Sequence, residues 1–130
     1  MTAVDTNILV RVFTRDTTSE AERAFALLQK HERIFIAKTV LLEVEWVLRR
    51  GYGYRADQIL ALFRELLDTP KMYIEDEPIV VQALLYFERG LDFADALHVA
   101  SAPPGYAFVT FDIALQRAIG RLGLCKVAVL

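Results

Sequence analysis

The sequence predicts an α/β domain with three layers, in which helices cover both faces of a central parallel sheet. Short, unbroken apolar runs such as Ile34–Ile36 alternate with amphipathic helical stretches such as residues 55–67. Strands that are buried on both faces of a parallel sheet have this continuously apolar composition. The chain has 130 residues without a repeat or a linker, so we expect one domain over residues 1–130.

Apolar spacing and breaker residues define the elements of the first half of the chain. Apolar side chains recur at helical spacing, and a cap residue such as Thr18 begins a helix. Gly51 and the cluster at residues 68–70 end helices. The elements predicted here are strand 3–4, helix 6–14, helix 21–31, strand 34–36, helix 39–50 and helix 55–67.

The second half of the chain follows the same alternation. Gly90 and Gly120 end helices, and residues 103–105, Pro-Pro-Gly, form a turn. The elements predicted here are strand 72–74, helix 76–88, helix 92–101, strand 107–110, helix 113–119 and strand 127–129.

The composition limits the classes of function. Lys and Arg total 15 against 17 Asp and Glu, a net charge of −2, which excludes a general DNA-coating protein. A local basic patch, or phosphates held through metal ions, remains compatible with that charge. Hydrophobic residues make up 55%, so we expect a partner to cover some apolar surface. The single cysteine, Cys125, is expected to be a small buried residue.

The sequence contains no segment that we expect to enter a membrane. No basic-then-apolar leader precedes the first strand. The most apolar stretch, residues 78–87, is too short to span a bilayer. The expected location is therefore the cytoplasm.

Acidic residues follow two of the predicted strands. Asp5 comes after the first strand and Asp112 after the fourth, while Asp92 and Asp95 open a helix. In an open parallel sheet, functional sites form at the carboxyl ends of the strands. Helix capping is the alternative, because Asp is a preferred N-cap residue. Asp95 could likewise be the second half of a capping pair.

A further acid, Glu43, lies in the middle of a predicted helix. Its neighbour Glu45 can pair with Arg49 at i+4, whereas Glu43 has Val47 at that position. An acid without an obvious basic neighbour favours a bound cation. The alternative is an acid that simply reaches solvent.

Gathered carboxylates indicate a metal-dependent reaction. Two carboxylates 4 Å apart repel by about 4 kcal/mol at an effective dielectric constant near 20. Mg²⁺ or Mn²⁺ would offset this repulsion, since both prefer hard oxygen ligands. Such ions activate water and orient phosphodiesters. The acids therefore favour phosphodiester or phosphoryl-transfer chemistry.

The remaining candidates are assigned structural roles. His98 is expected to be packed or hydrogen-bonded within an apolar helix, and His31 to lie at the surface at a helix end. Trp46 and the other aromatic residues are expected in the core rather than in a base-stacking platform. Phosphate-binding glycine motifs and a nucleophile elbow are absent from the sequence.

Four motifs follow one another along nearly the whole chain: V-D-T-N-I-L, L-L-E-V-E-W-V-L, L-D-F-A-D-A-L-H-V-A and V-T-F-D. Together they resemble the motifs of PIN-domain proteins, and more narrowly those of VapC-type toxins of toxin–antitoxin pairs. The resemblance implies a five-stranded parallel sheet in the order 3-2-1-4-5. In that order the first and fourth strands are neighbours.

The resemblance also implies an acidic quartet of Asp5, Glu43, Asp95 and Asp112. Asp5 and Asp95 would be direct metal ligands, and Glu43 would bind metal or activate the attacking water. Asp112 would act directly or through water on a second ion. The supporting residues would be Thr6 and Asn7 for Asp5, Thr110 for Asp112, and Asp92 as an outer acid that mainly caps its helix.

The implied activity is that of a Mg²⁺- or Mn²⁺-dependent endoribonuclease acting on tRNA, rRNA or mRNA. The resemblance further implies a homodimer and a cognate antitoxin whose tail covers an apolar groove, with promoter DNA bound only through the antitoxin. From their positions on the predicted helices, the candidate RNA-facing residues are Arg11, Arg15, Lys38, Arg49, Arg50 and Arg117. The alternative is that they are ordinary solvated surface charges.

Three alternatives stay open from the sequence. The chain could be a related nuclease that acts on DNA or in RNA maturation, or a catalytically silent binding module. The third alternative is a signalling receiver domain with a phospho-acceptor aspartate. Such a domain has a pair of acids after its first strand, whereas this chain has only Asp5 there.

Overall fold

The computed structural model describes residues 1–15 and 17–130. The elements in these residues alternate between strands and helices, as the sequence predicts. They are β1 (Thr2–Ala3), α1 (Thr6–Thr14), α2 (Ser19–Lys30), β2 (Ile34–Ile36), α3 (Lys38–Tyr52), α4 (Ala56–Leu67), β3 (Met72–Ile74), α5 (Glu77–Glu88), α6 (Phe93–Ser101), β4 (Phe108–Thr110), α7 (Ile113–Leu122) and β5 (Val127–Val129).

The chain divides into two compact units, a first unit over Met1–Glu77 and a second unit over Pro78–Leu130. The expectation of one domain over residues 1–130 stays a prediction. In the described part of the chain, no helix has both the length and the apolar character needed to cross a bilayer.

The first unit is built on a parallel sheet in the order β1-β2-β3. Thr2 is in register with Ile34, and Ile34 with Met72. The middle strand carries the most apolar side chains, and both Ile34 and Ile36 are fully buried. Each such side chain contributes about 1.5–3 kcal/mol to folding through its burial.

The helices of the first unit fix the orientation of α3. Helix α3 packs against α1 and α4, and α4 packs against β3. Leu41, Val44 and Leu48 recur at helical spacing and are all buried, so they form the inner face of α3. Glu43 lies outside that face and is exposed.

The second unit contains a smaller parallel sheet, β4-β5, with Phe108 in register with Val127. Helix α7 packs against both strands. Between α5 and α6, the rings of Phe87 and Phe93 meet edge to face at a centroid distance of 5.4 Å. This geometry is favourable for aromatic pairs.

The strands therefore form two separate sheets, and the expected single sheet in the order 3-2-1-4-5 is wrong in this respect. Strand β1 has two residues, which offer few backbone groups for a second ladder. The α/β class, with parallel strands flanked by helices, is confirmed.

The expectation of strands covered on both faces holds for β2 but not for β4 and β5. Val109 is 57% exposed, and Ala128, its partner in register, is also exposed. The apolar composition of a strand does not by itself distinguish a covered face from an open one.

Two helices extend beyond the glycines predicted to end them. Helix α3 continues through Gly51 to Tyr52, and its C-cap is Gly53 with φ of 68°. Helix α7 likewise continues through Gly120 to a C-cap at Gly123 with φ of 64°. A helix tolerates an internal glycine at a cost of about 1 kcal/mol, and it ends where the left-handed conformation is needed.

Candidate functional site

Asp5 combines helix capping with exposure to solvent. It is the N-cap of α1 in extended conformation, and its Oδ1 accepts a hydrogen bond from the N–H of Ile8 at 3.4 Å. The side chain is exposed. The capping role that the sequence left open is therefore real, and it leaves the carboxylate accessible.

Glu43 is held by Thr6, the residue that follows Asp5. The buried Thr6 hydroxyl, which the resemblance assigned to Asp5, donates to Oε1 of Glu43. Asn7 is exposed. This hydrogen bond connects the beginning of α1 to helix α3. Asp5 and Glu43, two acids of the predicted quartet, are thus connected through Thr6, the chain neighbour of Asp5.

The residues after β3 fix the beginning of α3. Its N-cap, Ala37, has no side chain that can cap. The N–H of Lys38 instead donates to Oε1 of Glu75 at 2.9 Å, and Lys38 Nζ lies 2.7 Å from Oδ2 of Asp76. Sequence reasoning missed both acids because they lie far along the chain from the helix. The apolar N-cap was the one available signal.

Glu45 has a different environment from Glu43, two positions earlier. It is only 2% exposed, and its Oε2 lies 2.7 Å from Nε of Arg49. This confirms the predicted i+4 pair. With Glu45 committed to Arg49, Glu43 is the acid that α3 presents to solvent.

In the second unit, Asp112 has a cap arrangement similar to that of Asp5. Its Oδ1 accepts from the N–H of Leu115 at 3.0 Å at the start of α7. The N–H of Asp112 donates to Oγ1 of Thr110, also at 3.0 Å. The hydroxyl of Thr110 thus contacts the backbone of Asp112, and its role as a supporting residue stays a prediction.

Asp95 lies in a crowded acidic environment. Partial burial raises the pKa of its carboxyl, and the charges of Asp92 and Asp112 raise it further, while His98 acts in the opposite direction. Electrostatically, three acids of the second unit therefore form one group. Two of them, Asp95 and Asp112, belong to the predicted quartet.

Asp92 and His98 differ from their expected roles. Asp92 occupies the N-cap position of α6, but its side chain makes no cap hydrogen bond, so its expected capping job is not performed. His98 is exposed rather than packed. His98 lies one turn after Asp95, so the two side chains are on the same side of α6. His31 is half-buried, and its Nδ1 lies 3.1 Å from Oγ1 of Thr2.

The acidic side chains offer the type of donor atom that a hard divalent ion prefers, but the described residues do not form a complete coordination shell. Within residues 1–15 and 17–130, no three His, Cys, Asp or Glu side chains are arranged to hold a metal ion. The available ligand atoms are carboxylate oxygens, which Mg²⁺ and Mn²⁺ prefer. The pKa of Asp95 is raised first by burial and then by repulsion from Asp92 and Asp112, and a bound cation would act against both effects.

Three of the six candidate RNA-facing cations are engaged with acids. Arg11 lies 3.2 Å from Glu20, and Lys38 and Arg49 form the ion pairs described above. Arg50 and Arg117 are exposed. The pairs of Arg11 and Lys38 involve exposed acids and are weak, so pairing does not by itself remove these two residues from RNA binding. Arg49 pairs with the buried Glu45 and is less available.

Two apolar features lie at the surface of the first unit. Trp46 was expected in the core, but 56% of it is exposed. An apolar groove of about 560 Å³ also opens between α1, α2, α4 and β3. Its floor includes Leu9, Leu28 and Leu66, and Phe25 at its edge is 51% exposed.

Comparisons with known proteins relate the chain to one family. The PIN domain profile matches residues 2–120. The chain is also similar to a protein named VapC ribonuclease from Aquifex aeolicus (strain VF5), with 26% identity over 106 residues. That alignment covers 78% of this chain and 78% of the Aquifex protein. All four acids of the predicted quartet lie within the PIN match.

Proposed function

The chain belongs to the PIN-domain family, and from this membership we propose that it is a divalent-metal-dependent endoribonuclease, the toxin of a VapC-type toxin–antitoxin pair. The observation that carries the proposal is the acidic environment of Asp95, whose pKa is raised by burial and by Asp92 and Asp112. A cation bound beside Asp95 would offset both the burial of its charge and the repulsion from Asp92 and Asp112. The name of the Aquifex relative, VapC ribonuclease, supports RNA as the substrate.

The proposed catalytic residues are the quartet Asp5, Glu43, Asp95 and Asp112. Asp5 and Asp95 would hold Mg²⁺ or Mn²⁺, which when bound supplies Lewis-acid activation of water and neutralises charge on the phosphate. Glu43 would orient that water, with one carboxylate oxygen fixed by Thr6. Asp112 would serve a second ion or a water, with its backbone fixed by Thr110.

Cleavage of end-labelled tRNA and rRNA by antitoxin-free protein tests the proposal. We expect discrete cuts in Mg²⁺ or Mn²⁺ and none in EDTA. Asp5→Asn and Asp95→Asn should each lower the rate about 100-fold or more, since each removes a proposed ion ligand worth several kcal/mol in the transition state. The control is Asp68→Asn, an exposed acid at the end of α4, which should cleave normally. Full activity in folded Asp95→Asn protein would refute the assignment.

We also propose that the apolar groove of the first unit receives a segment of the cognate antitoxin. The leucine floor suits the apolar face of an amphipathic helix, and charged residues at the rim, Arg15 and Glu65 among them, could orient it. Phe25→Ala should weaken the complex in a calorimetric titration while RNA cleavage by the free protein is unchanged. Equal affinity would place the antitoxin elsewhere. The proposed homodimer is tested separately by sedimentation equilibrium.

A further inference from the structure

Trp46 lies on the same side of α3 as Glu43. At about 100° per residue, Thr39, Glu43, Trp46 and Arg50 fall within roughly 60° of one another around the helix axis. All four are exposed, and Trp46 is 56% exposed. A large indole therefore stands in solvent between an acid proposed to be catalytic and an arginine.

Packing does not account for this position of Trp46. The inner face of α3 is supplied by Leu41, Val44 and Leu48, all of which are buried. Because more than half of the indole remains in water, it contributes little of the burial energy that normally justifies a tryptophan. The exposed ring is therefore available for a ligand.

The neighbours of Trp46 fit a nucleotide better than a second protein chain. Neighbouring side chains three or four residues apart on a helix have Cβ atoms about 5–6 Å apart, which matches a base beside its own phosphate. An aromatic ring stacks on any base, and Arg50 adds a cation for the backbone. The centre of a protein interface is depleted of charged residues, whereas Glu43 and Arg50 flank the ring on this surface.

We propose that Trp46 stacks on an unpaired base of the RNA, next to the phosphate that is cleaved. This inference rests on the proposed ribonuclease function and adds a substrate-binding residue to it. It also favours a single-stranded loop or end as the cleaved segment, because a base within a duplex cannot offer its face to a side chain.

Fluorescence gives a direct test because Trp46 is the only tryptophan in the chain. We would titrate the full-length protein in EDTA with a short oligoadenylate, and with an abasic oligomer of the same backbone. The oligoadenylate should quench the emission to saturation, and the abasic oligomer should not. Binding of both is followed independently by the anisotropy of a label on the oligomer.

Matched variants separate stacking from general structure. Trp46→Ala should weaken oligoadenylate binding about 5-fold to 150-fold, the range found for one stacked base, and Trp46→Phe should lose less. In cleavage, Trp46→Ala should raise KM more than it lowers kcat. Tyr52 is 45% exposed on the same helix and lies about 120° away. Tyr52→Ala should therefore retain both the affinity and the quenching.

Each remaining outcome bears on the proposal. Metal-dependent cleavage with oligomer binding but no quenching would overturn the stacking role and leave the ribonuclease assignment standing. If the protein neither cleaves RNA nor binds the oligomer, both the ribonuclease assignment and the stacking role are overturned. Emission that shifts with protein concentration alone, together with a monomeric Trp46→Ala variant that binds RNA normally, would assign the indole to an interface between two copies and overturn the proposal.

Discussion

Two glutamates on α3 show how strongly one residue's environment depends on its position around a helix. Glu45 is buried against Arg49, while Glu43 is exposed and accepts from Thr6. Removing one partner of a buried ion pair leaves an uncompensated charge and costs about 3–5 kcal/mol. Removing an exposed acid costs far less. Substitution at Glu43 should therefore change stability little, so the proposed catalytic role predicts a loss of cleavage without unfolding. Substitution at Arg49 should lower stability.

The hydroxyl of Thr6 is expected to matter more for function than for folding. Thr6→Val keeps the shape of the side chain but removes the donor to Glu43. We expect the free energy of unfolding to fall by about 1 kcal/mol and Mg²⁺ binding and cleavage to weaken clearly. Thr6→Ser restores the donor and should recover most of the activity. If Thr6→Val cleaves as well as the wild type, the hydroxyl does not orient Glu43.

The raised pKa of Asp95 predicts a stability that depends on pH. The folded state holds this proton more tightly than the unfolded chain, so ionisation of Asp95 destabilises the fold as pH rises past the ordinary value of 3.8. In EDTA, Asp95→Asn should therefore raise the melting temperature at neutral pH. The gain should shrink as pH falls and vanish below 3.8, where the carboxyl is protonated in both states.

Asp57 provides a control for that experiment because its pKa is shifted in the opposite direction. A hydrogen bond from Arg55 lowers the pKa of Asp57, so its stabilisation is present at neutral pH and lost as pH falls through the lowered value. Asp57→Asn should therefore lower the melting temperature slightly at neutral pH and have no effect in strong acid. Parallel pH curves for the two variants would contradict the electrostatic account of Asp95.

Helix α3 is held at its first residue by an acid from beyond β3. Glu75→Ala removes the acceptor of the Lys38 N–H, and we expect a loss of about 1 kcal/mol, the usual value for a lost cap. Urea denaturation measures this change. Asp76→Asn, which removes the partly exposed partner of Lys38, should cost less. An equal loss in the two variants would show that the ion pair of Lys38 stabilises the helix as much as the cap does.

Local patterns predicted the elements well and their ends less well. The ranges of α1, β2, β3 and β5 match the prediction because apolar spacing and flanking breakers agree there. Helices α3 and α7 each contain one glycine near the end and have a second glycine at the C-cap, and the sequence does not tell which of the two adopts positive φ. That choice depends on where packing stops, which is a tertiary property.

For the molecule as a whole, the proposed acids belong to both units, Asp5 and Glu43 to the first and Asp95 and Asp112 to the second. The proposed function therefore predicts that a substitution in either unit weakens Mg²⁺ binding. A ligand present at 100 times its Kd stabilises the folded state by about 2.7 kcal/mol. Mg²⁺ should therefore raise the melting temperature of the wild type. Asp5→Asn in the first unit and Asp95→Asn in the second should each reduce this increase, and Asp68→Asn should not. If one of the two acid variants keeps the full increase, its acid is not an ion ligand.

The sequence identified which acids to consider but not how their neighbours hold them. Motifs and strand ends pointed to Asp5, Glu43, Asp95 and Asp112, since those signals are local. The contacts of Glu75 with Lys38 and of Thr6 with Glu43 each join residues 37 positions apart. The exposure of Trp46 depends on which side chains of α3 face the core. Such facts require the packed chain.

The capping bonds of Asp5 and Asp112 have a consequence for ion selectivity. In both residues Oδ1 accepts a hydrogen bond from a backbone N–H of the following helix. An ion coordinated by both oxygens of either carboxylate would therefore compete with this cap. Ca²⁺ often takes carboxylates in that bidentate way, whereas Mg²⁺ uses few protein oxygens and retains several waters. At the proposed ion site, helix starts of this kind would therefore favour Mg²⁺ over Ca²⁺ and would leave coordination positions for water, the co-substrate of hydrolysis.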